Sequence, residues 1–226
     1  WIYLSTKLNN VCVMTNIILK LFSKAEYIFK MDEDIYLPKN YFSSMIAAYD
    51  KIEADTEYEI GYILPTMPLG VYAMHNFLKE RGKLKEYENK FGKHIIGGTS
   101  VNPVLREHIG VDEFIWSLIG NFDDCARDYS EKPFSYEICP IRPSIASILF
   151  KRKFWDDLGL LKKFRDSGVG DSGDEGQMTT YCALNYRACF CVKNLMVGHF
   201  AFGGSEPNVL KIKDKHPEYF EFNETQ

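Results

Sequence analysis

Nowhere in the 226 residues do lysines and arginines gather into a basic tract: 27 of them are spread among 31 aspartates and glutamates, for a formal net charge of -4. That balance argues against a nucleic-acid binder, and equally against a polybasic membrane anchor. Paired cysteines are missing as well. Cys12, Cys125, Cys139, Cys182, Cys189 and Cys191 form no C-x-x-C pair and no metal-finger spacing, which leads us to expect reduced thiols in or near a core, as in a cytosolic protein. Cys189 and Cys191 alternate in a strand-like run and should face the same way. No signal peptide or membrane span is expected from these residues; the most apolar early stretch, "NIILKLF", is broken by Lys20. The expected location is therefore cytoplasmic, free or peripheral to a membrane. Internal repeats and low-complexity segments are absent too. An initiator methionine is also missing, because the chain starts at Trp1, and we expect an excised piece of something longer.

What is present is apolar surface in quantity. Hydrophobic residues make up 46% of the chain and aromatics 15%, enough for a large core. The length suits one domain, with a charged helical insertion over about residues 71–130. "WIYL" reads as a short strand. From Val11 to Lys24, apolar residues recur at helical spacing. "YIFKM" follows as a buried strand, Pro38 suits the first turn of a helix, and "YEIGYIL" is the next strand. Strand, helix, strand in this order predicts an α/β fold with a mostly parallel open sheet and helices on both faces. Further on, "VYAMHNFLKERGKLKEYENKF" reads as an exposed charged helix and "VDEFIWSLIGNFDDCARDY" as one helix containing a glycine. "PSIASILF" reads as a strand and "RKFWDDLGLL" as a helix ending near Gly159. "EGQMTTYCALNY" reads as a helix and "ACFCVKNLMVGHF" as a strand.

The chemistry concentrates at one strand end. In "YIFKMDEDIYLP" a buried strand runs into Asp32, Glu33 and Asp34. Three adjacent carboxylates repel one another unless water or a cation meets them. In an extended turn Asp32 and Asp34 can point the same way, a pair that suits a hard divalent cation and its phosphate ligands. The alternative is a solvated turn capping the next helix. In open α/β sheets, ligands bind at the carboxyl ends of strands, which is where this turn sits.

These residues resemble a known family. "YIFKMDEDIYLPKNYF" is similar to the DXD segment of nucleotide-sugar glycosyltransferases with the GT-A fold, especially the family-2 type. "RPSIASILFKRKFWDDLG", "GDEGQMTTYCALNYRA" and "VGHFAFGG" follow in the order of that family's acceptor-side strand and helix, its acidic loop and helix, and its late histidine segment. The resemblance spans residues 10 to 205 in pieces. It implies a metal-dependent glycosyltransferase that moves a sugar from a nucleotide diphosphate to a hydroxyl of a glycan or other acceptor, with inversion. Asp32, Glu33 and Asp34 are then expected to hold the nucleotide sugar through Mn2+ or Mg2+, with Asp32, Asp34 and His199 as metal ligands. Asp174 or Glu175 is expected to be the catalytic base, with Asp171 a weaker candidate. Gly203 and Gly204 would let a backbone approach phosphate. On position alone, Asp174 can equally cap its helix. Arg142 can touch a phosphate or an acceptor, or lie on the surface. Trp116 and Trp155 are assigned to the core, and His75, His94, His108 and His216 to packing or the surface.

One departure from the family stands out. Only 31 residues precede Asp32, so the first β-α unit, which binds the nucleobase in the family, is expected to be missing or carried elsewhere. Two other classes compete. A haloacid-dehalogenase-type phosphatase also places Asp-X-Asp after a strand, but wants Thr or Val where Tyr36 stands. A non-catalytic sugar- or partner-binding domain would keep the fold without the chemistry.

Overall fold

The computed structural model describes residues 2–5, 7, 10–94, 96, 109–163, 173–200 and 206–222, the side chains of 71, 109 and 206 excepted. Nine helices are described: α1 Val11–Leu21, α2 Tyr41–Asp55, α3 Val71–Glu80, α4 Leu84–Phe91, α5 Ile109–Ile119, α6 Phe122–Ser130, α7 Arg152–Leu158, α8 Gly173–Leu184 and α9 Glu206–Lys215. Seven strands accompany them: β1 Tyr27–Met31, β2 Ile35–Tyr36, β3 Glu59–Thr66, β4 Tyr136–Ile138, β5 Ser147–Lys151, β6 Arg187–Met196 and β7 Gly198–His199.

The fold is α/β, and its main sheet is mixed. Five strands run in the order β1-β5-β3-β6-β4. Only β3 and β6 pair in parallel; β1 with β5, β5 with β3, and β4 with β6 are antiparallel. This corrects the expectation of a mostly parallel sheet. β1 and β3 do run the same way, since each is antiparallel to β5, so the strand-helix-strand reading got their direction right. It could not show that β5, more than 100 residues later, comes back between them. Among the described strands β1 lies at the edge of this sheet.

Helices cover both faces. On one, Ile28, Tyr62, Ile148, Phe150, Cys189 and Cys191 pack with Cys12 and Leu19 of α1, Phe154 and Trp155 of α7, and Met178 and Cys182 of α8. On the other, Ile60, Ile63, Leu149, Phe190 and Val192 pack with Tyr41, Met45, Tyr49 and Ile52 of α2. Cys189 and Cys191 therefore share a face, as their spacing required, and all six cysteines are free thiols. The register of β3 against β6 slips between Ile60 and Tyr62. Gly61 at that slip leaves room for α8, because a Cβ there would overlap the Cys182 sulfur.

A third cluster joins the helices between β3 and β4 to the C-terminal segment. Met74, Phe77, Leu78 and Tyr87 are buried in it beside Trp116, Phe122, Val209, Ile212 and Phe220. The stretch from 71 to 91 is thus two helices with a buried apolar side, not an exposed one; the many charges disguise an apolar stripe at Met74, Phe77 and Leu78. The expected single helix over "VDEFIWSLIGNFDDCARDY" is also two, α5 and α6. Gly120 takes a left-handed φ of 63°, and Asn121 then accepts from the Asp124 N–H to cap α6. Residues 2–4 form no strand. Trp116 and Trp155 lie in the core as expected.

Candidate metal and acid site

β1 carries its ladder one residue past its end. The Asp32 N–H donates to the Ala146 carbonyl at 2.8 Å, which fixes Asp32 at the carboxyl end of the strand. The chain turns at residues 33 and 34 and enters β2, a two-residue strand that pairs with β7 in a small second sheet. In that pairing Ile35 stands opposite His199, and the Phe200 N–H donates to the Asp34 carbonyl at 2.8 Å. Gly198 permits the close approach, because a Cβ there would meet the Phe122 ring and the Tyr36 Cβ, each at 3.1 Å. A residue 165 positions beyond Asp34 is delivered to it by backbone hydrogen bonds.

The result is a three-residue cluster. The ligand atoms of Asp32, Asp34 and His199 all lie within 4.8 Å of one another, and His199 Nε2 is 3.4 Å from Asp34 Oδ1. Burial holds the imidazole below its ordinary pKa, against the opposing pull of the Asp34 and Asp32 charges. A neutral imidazole and two carboxylates are a donor set that fits Mn2+ or Mg2+, since carboxylate oxygens satisfy a hard ion and imidazole is acceptable to Mn2+. Glu33, between the two aspartates, is exposed and outside this set.

Asp174 and Glu175 lie in the first turn of α8, where the helix dipole favours carboxylates. Two cations tie them to their surroundings. Lys30 Nζ of β1 sits 2.6 Å from Asp32 Oδ1 and 3.5 Å from Asp174 Oδ2, so one ammonium spans from the cation cluster to the start of α8. Arg142 Nε sits 2.7 Å from Glu175 Oε1. Asp174 Oδ1 accepts from the Glu175 N–H at 2.9 Å, while its buried Oδ2 has no hydrogen-bond partner and meets only the Lys30 ammonium, at ion-pair distance. Burial raises the Glu175 pKa above the ordinary range, opposed by Arg142 and reinforced by the Asp174 charge.

Of the named acids all but Asp171 are described; Asp32 and Asp34 gather with His199, Asp174 is tied to them through Lys30, and Glu175 pairs with Arg142. Lys30 and the Arg142–Glu175 pairing were not foreseen. The signal for Lys30 was a lone lysine in an otherwise apolar strand, "YIFKM". Asp171, His108, Gly203 and Gly204 lie outside the described residues. His216 stacks on Tyr219 at 4.7 Å, away from the cluster. Among the described residues no helix is long and apolar enough to cross a membrane. Compared with protein-family models, curated proteins and solved structures, the chain matches none.

Proposed function

We propose that this chain is a metal-dependent glycosyltransferase domain acting on a nucleotide-sugar donor and a hydroxyl acceptor. The observation that carries the reading is the convergence of Asp32, Asp34 and His199 at the end of β1, with Asp174 in the first turn of α8 linked to it through Lys30 and Glu175 next to Asp174 in that turn. Three ligands from two distant segments make a cation site, and an acid at its margin makes a proton acceptor.

Sugar transfer asks for both. As the glycosidic bond to phosphate breaks, negative charge grows on the departing diphosphate. Bound there, Mn2+ or Mg2+ supplies Lewis-acid neutralisation of that charge. Asp32, Asp34 and His199 are the residues that would hold the ion. On the acceptor side, a hydroxyl oxygen bonds to the anomeric carbon while its proton passes to a carboxylate, a transfer worth about 10²–10⁴-fold in rate. Of the two first-turn acids, Glu175 suits that step better. Its carboxyl is raised by burial, which strengthens it as a base, and one ion pair orients it. Asp174, whose Oδ1 takes the Glu175 N–H and whose Oδ2 faces the Lys30 ammonium at 3.5 Å, is better suited to fixing Lys30 and the helix start.

The test is a hydrolysis and transfer assay with UDP- and GDP-sugars, with and without Mn2+. Metal-dependent sugar release supports the reading. Turnover of a simple phosphomonoester instead would mark a phosphatase, and turnover of neither a binding domain.

A further inference from the structure

Outside the acid cluster, three rings meet with buried polar atoms unpaired. His94 is only 4% exposed, and neither of its ring nitrogens has a hydrogen-bond partner. The buried Nδ1 of His75, on α3, and the buried hydroxyl of Tyr87, on α4, are also without one. The His75 and His94 ring centroids are 5.3 Å apart, and those of Tyr87 and His94 5.6 Å. Buried polar groups left unmet in a native fold call for an explanation, and an ion or ordered water is the usual one. Hydrophobic packing accounts for Tyr87 in its cluster, but not for a buried histidine with both ring nitrogens unmet beside a second histidine.

The separation of the ring centroids is one that a shared metal ion allows. Two imidazoles on one tetrahedral ion, with nitrogens at about 2.0–2.1 Å, place their centroids roughly 5 Å apart. An acid is at hand: Glu88 Oε1 accepts from the His94 backbone N–H at 3.3 Å, a long bond that a side-chain rotation gives up easily. We propose that His75 and His94 form a second metal site, selective for a borderline divalent ion such as Zn2+, with Glu88 rotating in as the oxygen ligand. Among the described residues only the Asp32 cluster has three ligand atoms already gathered, so this second site is pre-built in its two imidazoles and completed on binding. The ion would fasten α3 to the segment that follows α4, a structural role that does not depend on sugar transfer.

Cobalt, which takes the place of zinc with visible d–d bands, is the probe. The protein is first made Asp34→Ala, so that the acid cluster does not contribute. Co2+ is then expected to bind once, with imidazole-ligated absorption, and Zn2+ to displace it and raise the melting temperature. His75→Gln in that background, on a half-buried position that tolerates the change, should abolish the bands or weaken binding by roughly tenfold or more. His94→Gln should do the same; if it fails to fold, His75→Gln decides alone. Absence of Co2+ binding in Asp34→Ala, or unchanged binding in Asp34→Ala/His75→Gln, overturns the proposal and leaves buried water as the occupant.

Discussion

Replacing Lys30 by methionine keeps most of the side-chain volume and removes one charge from between two carboxylates. The ammonium is 2.6 Å from Asp32 and 3.5 Å from Asp174, and it is 13% exposed against 38% and 13% for its partners. An exposed ion pair contributes at most about 1 kcal/mol. Breaking a buried one costs about 3–5 kcal/mol, because a charge is left without its partner. Asp174 is near the buried limit and Asp32 well short of it, so a loss of about 2–3 kcal/mol is expected in metal-free protein. For a chain of this length that is roughly 4–12 °C in melting temperature. A divalent ion should reverse the comparison. Lys30 and the ion compete for Asp32, so removing the ammonium tightens ion binding and enlarges the stabilisation that Mn2+ confers by mass action. Melting curves of both proteins across a Mn2+ titration supply the assay. The gap between them should narrow as Mn2+ rises. Equal Mn2+ shifts in the two proteins, or a Lys30→Met variant as stable as the parent without metal, would refute the reasoning.

Three other outcomes follow from particular residues. Asp112 of α5 is 1% exposed, and burial raises its pKa to about 6, with a hydrogen bond from Asn208 opposing. Its folded pKa lies above its unfolded value near 3.9, so folding takes up a proton between them: this contribution is full below about pH 4, falls until about pH 6, and is level above. Asp112→Asn should therefore gain up to about 3 kcal/mol over the parent at pH 7 relative to pH 4 in urea unfolding, and the same difference at both pH values would contradict it. Gly61→Ala should cost about 1–3 kcal/mol through overpacking against Cys182, and Cys182→Ala in the same chain should restore most of it; no restoration means the strain lies in the backbone slip instead. If Glu175 is the base, Glu175→Gln should lower transfer by about 10²–10⁴ with donor affinity unchanged, whereas Asp174→Asn should act mainly on stability through Lys30; full activity in Glu175→Gln would place the proton acceptor elsewhere.

Local chemistry was legible in the sequence, and long-range pairing was not. An apolar strand that ends in Asp32, Glu33 and Asp34 declares a cation or solvent site by itself, and His199 at the close of the last apolar run pointed to a strand end. What joins them, the two-residue pairing of β2 with β7, is too short to leave a period in the sequence. β4 escaped for the same reason: "YEI" is three residues with an exposed isoleucine. β5 was recognised as a strand, but its place between β1 and β3 depends on contacts far apart in the chain, which alternation of residues does not encode. The ion pairs of Lys30 and Arg142 are likewise tertiary. Lys30 was visible only as an anomaly, a charge on an apolar strand, and its meaning came from Asp174 on a helix that starts 143 residues later. The helices of residues 71–91 show the opposite failure, where abundant surface charge hid a stripe that packs into the core.

Manganese binding is the most direct check of the Asp32–Asp34–His199 centre. Titration of the metal-free protein with Mn2+, followed by the loss of the free-ion electron paramagnetic resonance signal, should give one site at the acid cluster. Asp34→Ala and His199→Ala should each weaken it by roughly tenfold or more, in the manner of a lost ligand or of one held out of place. Glu33→Gln, on the exposed side of the turn, should leave it nearly unchanged. Mn2+ affinity that survives both Asp34→Ala and His199→Ala would contradict the metal centre, and with it the reading of this chain as a metal-dependent transferase.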